Sequence, residues 1–529
     1  MPTAPHSPLA AGGHPFTYPS ADIVFVSSDN VHFKLHKVVL SLASEFFEDM
    51  FRLPQPTHFT RLPPGCQLSG PASPEVIDDL PAVHVTETGL VLENLFRLCY
   101  PVDDPTLEDI RDVHLTLEAA LKYEMREAIK ITKRRLTGFA CNAPLRVYCI
   151  ACRLSLEDIA AIAAAETRSQ KTQETYVAEL EEIPVGAYHR LLHYCGHNAN
   201  VPVGFTFHRA ALGLPDLSSD SLSLQPQTAQ MSLANCDAPA PFDNEAAEVA
   251  ITGSDGLRLR VFKYVIQLSS PVLTSRLSTL PASTPIALSL PESSRVLSAL
   301  FKICYPVENP RLSTDLNDIF SLFVAAEKYG VAKAVAFARK ALDEWVTDQL
   351  SDALLLYLVA CRVGSKDLAI KAARQVSRKD ISAELNPQLD AFGVVAGTLW
   401  RLISWQRKCE AAVRTIITTR DWLTPDWQTT LKSRCRRNSS QIYPCWFDGY
   451  FSRLAKTNWP DRGCATEDAL LRSTAFRTAS FGSVESICNY CADAQGVLLL
   501  VRFSKYVADA IDRRETEVTL DWKYPCMIK

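Results

Sequence analysis

The sequence predicts an α+β protein: two copies of a short-stranded sheet flanked by helices, each with a helical extension, and then a helical C-terminal region. Three observations carry this. LFRLCYPVDDP at Leu95–Pro105 returns as LFKICYPVENP at Leu300–Pro310. Upstream of each, the apolar period changes from two to about 3.6 within one short stretch. Flanking segments repeat as well, LEAALKYEMREA beside FVAAEKYGVAKA and ACRLSLED beside ACRVGSKD. Duplicated segments this far apart describe two domains rather than a solenoid, whose repeats run to roughly 20–50 residues.

The elements follow in order. Residues 1–20 read as a disordered arm. Ile23–Val26 is a short apolar run suited to a buried strand, and the SSDN after it supplies turn chemistry. Val31, Phe33 and Leu35 alternate with His32 and Lys34, which is the period of a half-buried strand. Leu35, Val38, Val39, Leu42 and Phe46 then follow a helical stripe, and Ser44 is placed to cap a second short helix with Glu45 in its first turn. A third strand is expected around Val83 and Val85. Leu92, Leu95, Phe96 and Cys99 make one face of a helix that must stop at Tyr100-Pro101, because proline disfavours a helical residue before it. The second copy repeats the scheme, with an Asp255-Gly256 hairpin turn, strand alternation at Leu257, Leu259 and Val261, and a third strand around Ile286, Leu288 and Leu290. The first copy carries a longer Pro-rich segment between Arg52 and Pro81, which costs little because closure entropy grows slowly with loop length.

The expected boundaries are a first unit at 21–137, its helical extension at 138–197, a flexible linker at 198–244 rich in Ser, Pro, Ala and Leu, a divergent second unit at 245–345, its extension at 346–409, and a Trp/Cys-rich, mainly helical region at 410–529. All but Trp345 of the eight tryptophans lie from Trp400 onward; Trp400, Trp405 and Trp446 are read as helical core. The closing EVTLDW reads as a short strand.

Bulk properties exclude several classes. A chain of 529 residues allows about three or four domains. The net charge of −4 gives no field for nucleic acid or an anionic membrane, and the basic clusters Lys133–Arg135 and 432–437 read as solvated faces. The longest apolar runs, near Leu355 and Leu499, are too short to span a bilayer. No secretory signal stands at the start, and 16 cysteines without one imply reduced thiols in the cytoplasm or nucleus. His189, His193 and His197 at four-residue spacing have metal-ligand potential, with ordinary helix surface and cap as the preferred reading. Cys149 and Cys152 read as core. Cys435, Cys445, Cys464, Cys488 and Cys491 offer a second, less favoured zinc set. No nucleophile elbow, phosphate-binding Gly loop or HExxH occurs, so neither an enzyme, a cofactor nor a bound metal is expected.

The first unit resembles a BTB (POZ) domain, and specifically the fungal BTB proteins of mushroom-forming species. The residues carrying the resemblance are Asp22, His36, Lys37, Val39, Leu40, Ser44, Phe47, Met50 and Phe51, with the Cys-Tyr-Pro segment, the Ala-Ala-x-Lys-Tyr helix, the Cys-Arg helix and AYHRLLHY at Ala187–Tyr194 in support. The second copy departs from the pattern: Phe262 stands in the histidine position, and Thr274–Leu277 replace Glu48–Phe51. The resemblance implies an interaction surface on those nine residues and protein partners met through homodimerisation or pairing of the two copies within one chain. Its alternatives are an adaptor of a cullin-type ubiquitin ligase or a transcriptional co-regulator. FRLPQPTHF lacks the hydrophobic-x-Glu element usual for cullin binding, and Ala43 occupies the basic position that pairs with the strand-one Asp in corepressor pockets.

Overall fold

The computed structural model describes residues 16–53, 76–202, 204–208, 238–280, 285–311, 315–345, 353–376, 381, 385–432, 443–456, 465–475, 491 and 493–522. The chain divides into two compact units, 1–179 with 194–210, and 180–193 with 211–529. Most of the 1–20 arm, of the 198–244 linker and of the Pro-rich segment lies outside the described residues.

In the first unit the buried run Ile23–Val26 becomes β1, the centre of a four-stranded sheet. It pairs antiparallel with β2, His32–Leu35, in the register Ile23↔Leu35, and parallel with β4, Leu80–His84, in the register Val24↔Ala82; the short β3, Val76–Ile77, lies beyond β4. The alternation across β2 is as expected: Phe33 and Leu35 are buried while His32 and Lys34 are partly exposed. Helices α1, Lys37–Ala43, and α2, Glu45–Arg52, follow. They are separate helices because Ser44 is extended, and its hydroxyl accepts from Phe47 N–H while donating to the Tyr123 carbonyl. Losing such a cap costs about 0.5–2 kcal/mol.

The repeated stripe forms α3, Gly89–Arg97, with Leu92, Leu95 and Phe96 fully buried. Phe96 meets Phe16, Phe25 and Phe33 edge-on at centroid distances of 5.9, 5.8 and 5.6 Å, the arrangement aromatic quadrupoles favour. Helices α4, Ile110–Lys122, α5, Arg126–Gly138, α6, Pro144–Arg153, and α7, Glu157–Gln170, follow in order. Glu87 accepts from Lys122 at 2.6 Å and from the Tyr123 hydroxyl at 2.7 Å.

The second unit begins with α8, Val185–Gly196, of which Val185–His193 belong to it. Its sheet holds β5, Val249–Thr252, β6, Arg258–Val261, and β7, Ile286–Ser289, in the order β6-β5-β7, with β5 antiparallel to β6 and parallel to β7. The Asp255-Gly256 turn closes the hairpin, with Gly256 at a φ of 79°, a conformation glycine adopts without penalty. Helices α9, Lys263–Ser269, and α10, Pro271–Thr279, are divided by Ser270, whose hydroxyl accepts from Leu273 N–H and donates to the Tyr329 carbonyl. Helices α11, Ser294–Cys304, α12, Leu316–Lys328, α13, Ala332–Glu344, α14, Ala353–Val363, and α15, Lys366–Val376, continue the order of the first unit. Glu292 accepts from Lys328 at 2.7 Å and from the Tyr329 hydroxyl. The polar pattern around Ser44, Glu87 and Tyr123 thus recurs around Ser270, Glu292 and Tyr329.

The C-terminal part comprises α16, Ala396–Thr418, α17, Pro425–Lys432, α18, Phe447–Leu454, α19, Asp468–Ala475, and α20, Ala494–Glu517. Trp446, Phe447, Tyr450 and Phe503 make its aromatic core, and Trp405 is also buried, while Trp400 is only partly so. EVTLDW is not a strand. Glu517 ends α20, no strand forms over 518–522, and the Val518 carbonyl is taken by the Trp405 indole N–H at 3.0 Å. Six alternating residues with no neighbouring strand among the described residues do not make a ladder.

Candidate interaction face

Helix α1 starts where Asp22 accepts a hydrogen bond from Lys37 N–H at 2.7 Å, so the strand-one carboxylate holds the first turn of the helix to the sheet. His36 precedes it. Its N–H donates to the Tyr100 hydroxyl at 2.8 Å, its Nδ1 lies 3.3 Å from the same oxygen, and its Nε2 lies 3.0 Å from Ser20 Oγ. Tyr100 therefore joins the Cys-Tyr-Pro turn to the entry of α1, and burial pushes its phenol up to about 12. Lys37 Nζ stands 5.9 Å from the centre of the Phe51 ring.

Below this entry the motif residues build the helix pair from inside. Leu40, Ser44 and Phe47 are buried, and Phe47 stacks between Tyr123 at 5.2 Å and Phe51 at 6.1 Å. Val39, Met50 and Phe51 are half-buried and pack against the same core. The outward side carries Val38, Leu42 and Phe46, all exposed, with Leu42 at 85%. The stripe read from the sequence is therefore split. Leu35 is buried and Val39 packs half-buried against the core, whereas Val38, Leu42 and Phe46 present an apolar patch to solvent. Around it stand charged groups, including the Glu45–Arg126 and Glu48–Arg52 pairs. An apolar centre with a polar rim is the anatomy of a protein interface.

The second unit presents the same feature. Tyr264 and Leu268 on α9 and Val272 on α10 are exposed, Leu268 at 90%, and each holds the position relative to its capping serine that Val38, Leu42 and Phe46 hold. Glu248 accepts from Lys263 N–H at 3.0 Å as Asp22 does from Lys37, and the Tyr305 hydroxyl accepts from Phe262 N–H at 3.1 Å. Only backbone N–H is used there, so phenylalanine replaces histidine without loss of that bond. The Lys263 N–H holds the Glu248 carboxyl below the usual carboxylate range. Large exposed apolar residues at matched positions are the signal that spacing alone could not supply.

Cys149 and Cys152 are buried in α6. Cys445 is half-buried and Cys491 buried, while Cys435, Cys464 and Cys488 lie outside the described residues. Among the described residues no three His, Cys, Asp or Glu side chains are grouped to hold a metal ion, and no helix is long and apolar enough to cross a membrane. His197 lies beyond the end of α8, and His193 is buried. His189 is buried with Nε2 at 2.9 Å from the Ile381 carbonyl.

Burial pulls the His189 imidazole below its ordinary value, against the smaller upward pull of the Ile381 carbonyl. The unfolded chain then binds a proton near pH 6.5 that the folded chain refuses until lower pH, so stability falls as pH drops below about 6.5. Urea midpoints between pH 7 and 5 are expected to decline less steeply in His189→Gln than in the wild type. Equal slopes would contradict this.

The BTB/POZ domain family model matches residues 18–64. No curated protein is significantly similar to the chain. The matched span contains β1, β2, α1 and α2, which is the part carrying the exposed patch. BTB/POZ domains are protein–protein interaction modules and not typically enzymes.

Proposed function

We propose that this chain is a non-enzymatic interaction adaptor that self-associates through the Val38–Leu42–Phe46 face of its BTB domain, and that residues 245–345 are a divergent second BTB copy. The carrying observation is the uncovered apolar patch at the centre of a charged rim, on the span where the family model matches. Leaving such residues in water is unfavourable by about 25 cal/mol per Å² of apolar surface, which pairing removes. The duplication is supported by the repeated strand order, the capping serines and the Glu–Lys–Tyr clusters. Tyr264, Leu268 and Val272 then make a second face of altered shape, suited to the first face or to a different protein.

The test is the solution mass. The wild-type chain is expected at twice 58.7 kDa by light scattering, and Leu42→Asp at the mass of one chain, because a charge at the centre of a dry interface is left unpaired. Leu42 touches no core, so circular dichroism should be unchanged. A dimer that survives Leu42→Asp overturns the assignment of the face. A wild-type monomer overturns homodimerisation, leaving pairing of the two copies within one chain. Retrieval of a cullin irrespective of Leu42→Asp would favour the ubiquitin-ligase alternative.

A further inference from the structure

The segment after the first copy and the segment after the second meet in a reciprocal way inside the second unit. Pro184 and Val395 form an antiparallel bridge. On one side of it Val185 N–H donates to the Val394 carbonyl at 2.8 Å, and on the other Ala396 N–H donates to the Ile183 carbonyl at 2.8 Å. Two residues past each bridge position stands a glycine. A Cβ on Gly186 would lie 1.9 Å from Asp390 Oδ1, and a Cβ on Gly397 would lie 2.3 Å from Glu181 Oε1. One helical turn further stands an arginine. Arg190 Nη1 donates to Asp390 at 2.6 Å, and Arg401 Nη1 donates to Glu181 at 2.5 Å. Each strand thus contributes one carbonyl, one N–H, one glycine, one carboxylate and one guanidinium to the other.

We infer that residues 180–193 and 387–402 are the two sides of an isologous self-recognition interface, closed within one chain, whose partner surface is its own repeat. An isologous contact is defined by residue i meeting j while j meets i, and this set obeys that rule in its backbone bonds, its glycines and its arginines, while the carboxylates are reciprocal at different offsets, Glu181 lying before Pro184 by fewer residues than Asp390 lies before Val395. An ordinary core has no reason to repeat in this way. The glycines are explained by the same geometry: each lets a carboxylate, buried in Asp390 and half-buried in Glu181, reach the guanidinium over the helix backbone, where any side chain would stand in its path. The chemistry recognised is therefore a Gly-x-x-x-Arg helix start with a preceding carboxylate, which the chain contains at Gly186–Arg190 and Gly397–Arg401. The consequence is that the two halves of the chain hold together without the segment that joins them. This inference rests on the duplication reading, and not on the Leu42 face.

The test uses the full chain carrying a protease site inserted between residues 211 and 236, in a Leu42→Asp/Leu268→Asp background that removes association through the BTB faces. After folding and cleavage, the two fragments are expected to elute together at the mass of one chain, 58.7 kDa. Separation of the fragments in native buffer overturns the inference, and so does a complex holding two of each fragment, which would mean the interface closes between chains. Reciprocity is read from Arg190→Met and Arg401→Met in the cleaved protein. Each is expected to raise the dissociation constant of the fragments by at least about 100-fold, with the two effects within about tenfold of one another. An effect from one arginine alone overturns the isologous assignment. Should either variant fail to fold, the elution of the cleaved parent decides. The mass of the uncleaved wild type judges the Leu42 face separately.

Discussion

Replacing Arg190 with methionine is expected to destabilise the second unit by about 3–5 kcal/mol, measured as a shift of its urea transition. The reason is what remains. The Arg190–Asp390 pair is buried on both sides, and Asp390 sits against the backbone of Gly186 with no room for a compensating side chain. Removing the guanidinium leaves the carboxylate without its counter-charge in a low-dielectric site. Changing both residues, as Arg190→Met/Asp390→Leu, is expected to recover a large part of the loss, since a buried ion pair often does no better than an apolar pair of similar volume. The contrast is Arg126→Ala. Its pair with Glu45 is exposed on both sides, and exposed pairs contribute only about 0–1 kcal/mol. If Arg190→Met proves as mild as Arg126→Ala, water reaches the Asp390 carboxylate and the buried-pair account is wrong.

Much of this architecture is legible in the amino-acid sequence, and the limits have physical causes. The period switch at Leu35 marks the end of β2 because strand and helix periodicities differ sharply over even a few residues. Ser44 is legible as a cap because only a short side chain with an acceptor, set between two apolar helical stretches, satisfies the next helix's free N–H groups. The Tyr-Pro stops are legible because proline constrains its predecessor locally. What spacing cannot give is which of two apolar stripes faces the core when the helices are only about two turns long: α1 and α2 are apolar on both sides. Nor does it give β3, only two residues long, whose pairing depends on where β4 runs. The Gly-x-x-x-Arg pair was present as GAYHR and GTLWR, yet neither states its partner. A long-range ion pair such as Arg401–Glu181 becomes visible only when the fold brings its ends together. EVTLDW fails for a related reason: alternation permits a strand, but a ladder needs a neighbour.

Phe47→Ala is expected to cost about 3–5 kcal/mol in the first unit, while Leu42→Ala, five residues earlier on the same pair of helices, should change stability by less than about 0.5 kcal/mol. Both are large apolar residues in one stretch, so hydropathy cannot separate them. Burial does. Phe47 lies between the Tyr123 and Phe51 rings and meets Phe25 edge-on at 5.6 Å, and its removal leaves a cavity that neighbouring rings cannot collapse to fill. Its N–H is also the donor that Ser44 caps, so the backbone at this position is pinned while the side chain is lost. Leu42 has no comparable packing to lose in the monomer. Its effect is confined to association, where it should weaken the dimer through loss of the patch. The two substitutions therefore separate folding from binding on one helix pair. Unfolding measured at low protein concentration should respond to Phe47→Ala and not to Leu42→Ala, whereas the dimer dissociation constant should respond to Leu42→Ala even where the fold is intact. A destabilised but still dimeric Phe47→Ala and a stable but monomeric Leu42→Ala would place the core and the interface on opposite sides of α1 and α2. Equal losses of stability from both would mean that the outer stripe is covered in solution by another part of the chain, and the self-association face would have to be sought elsewhere.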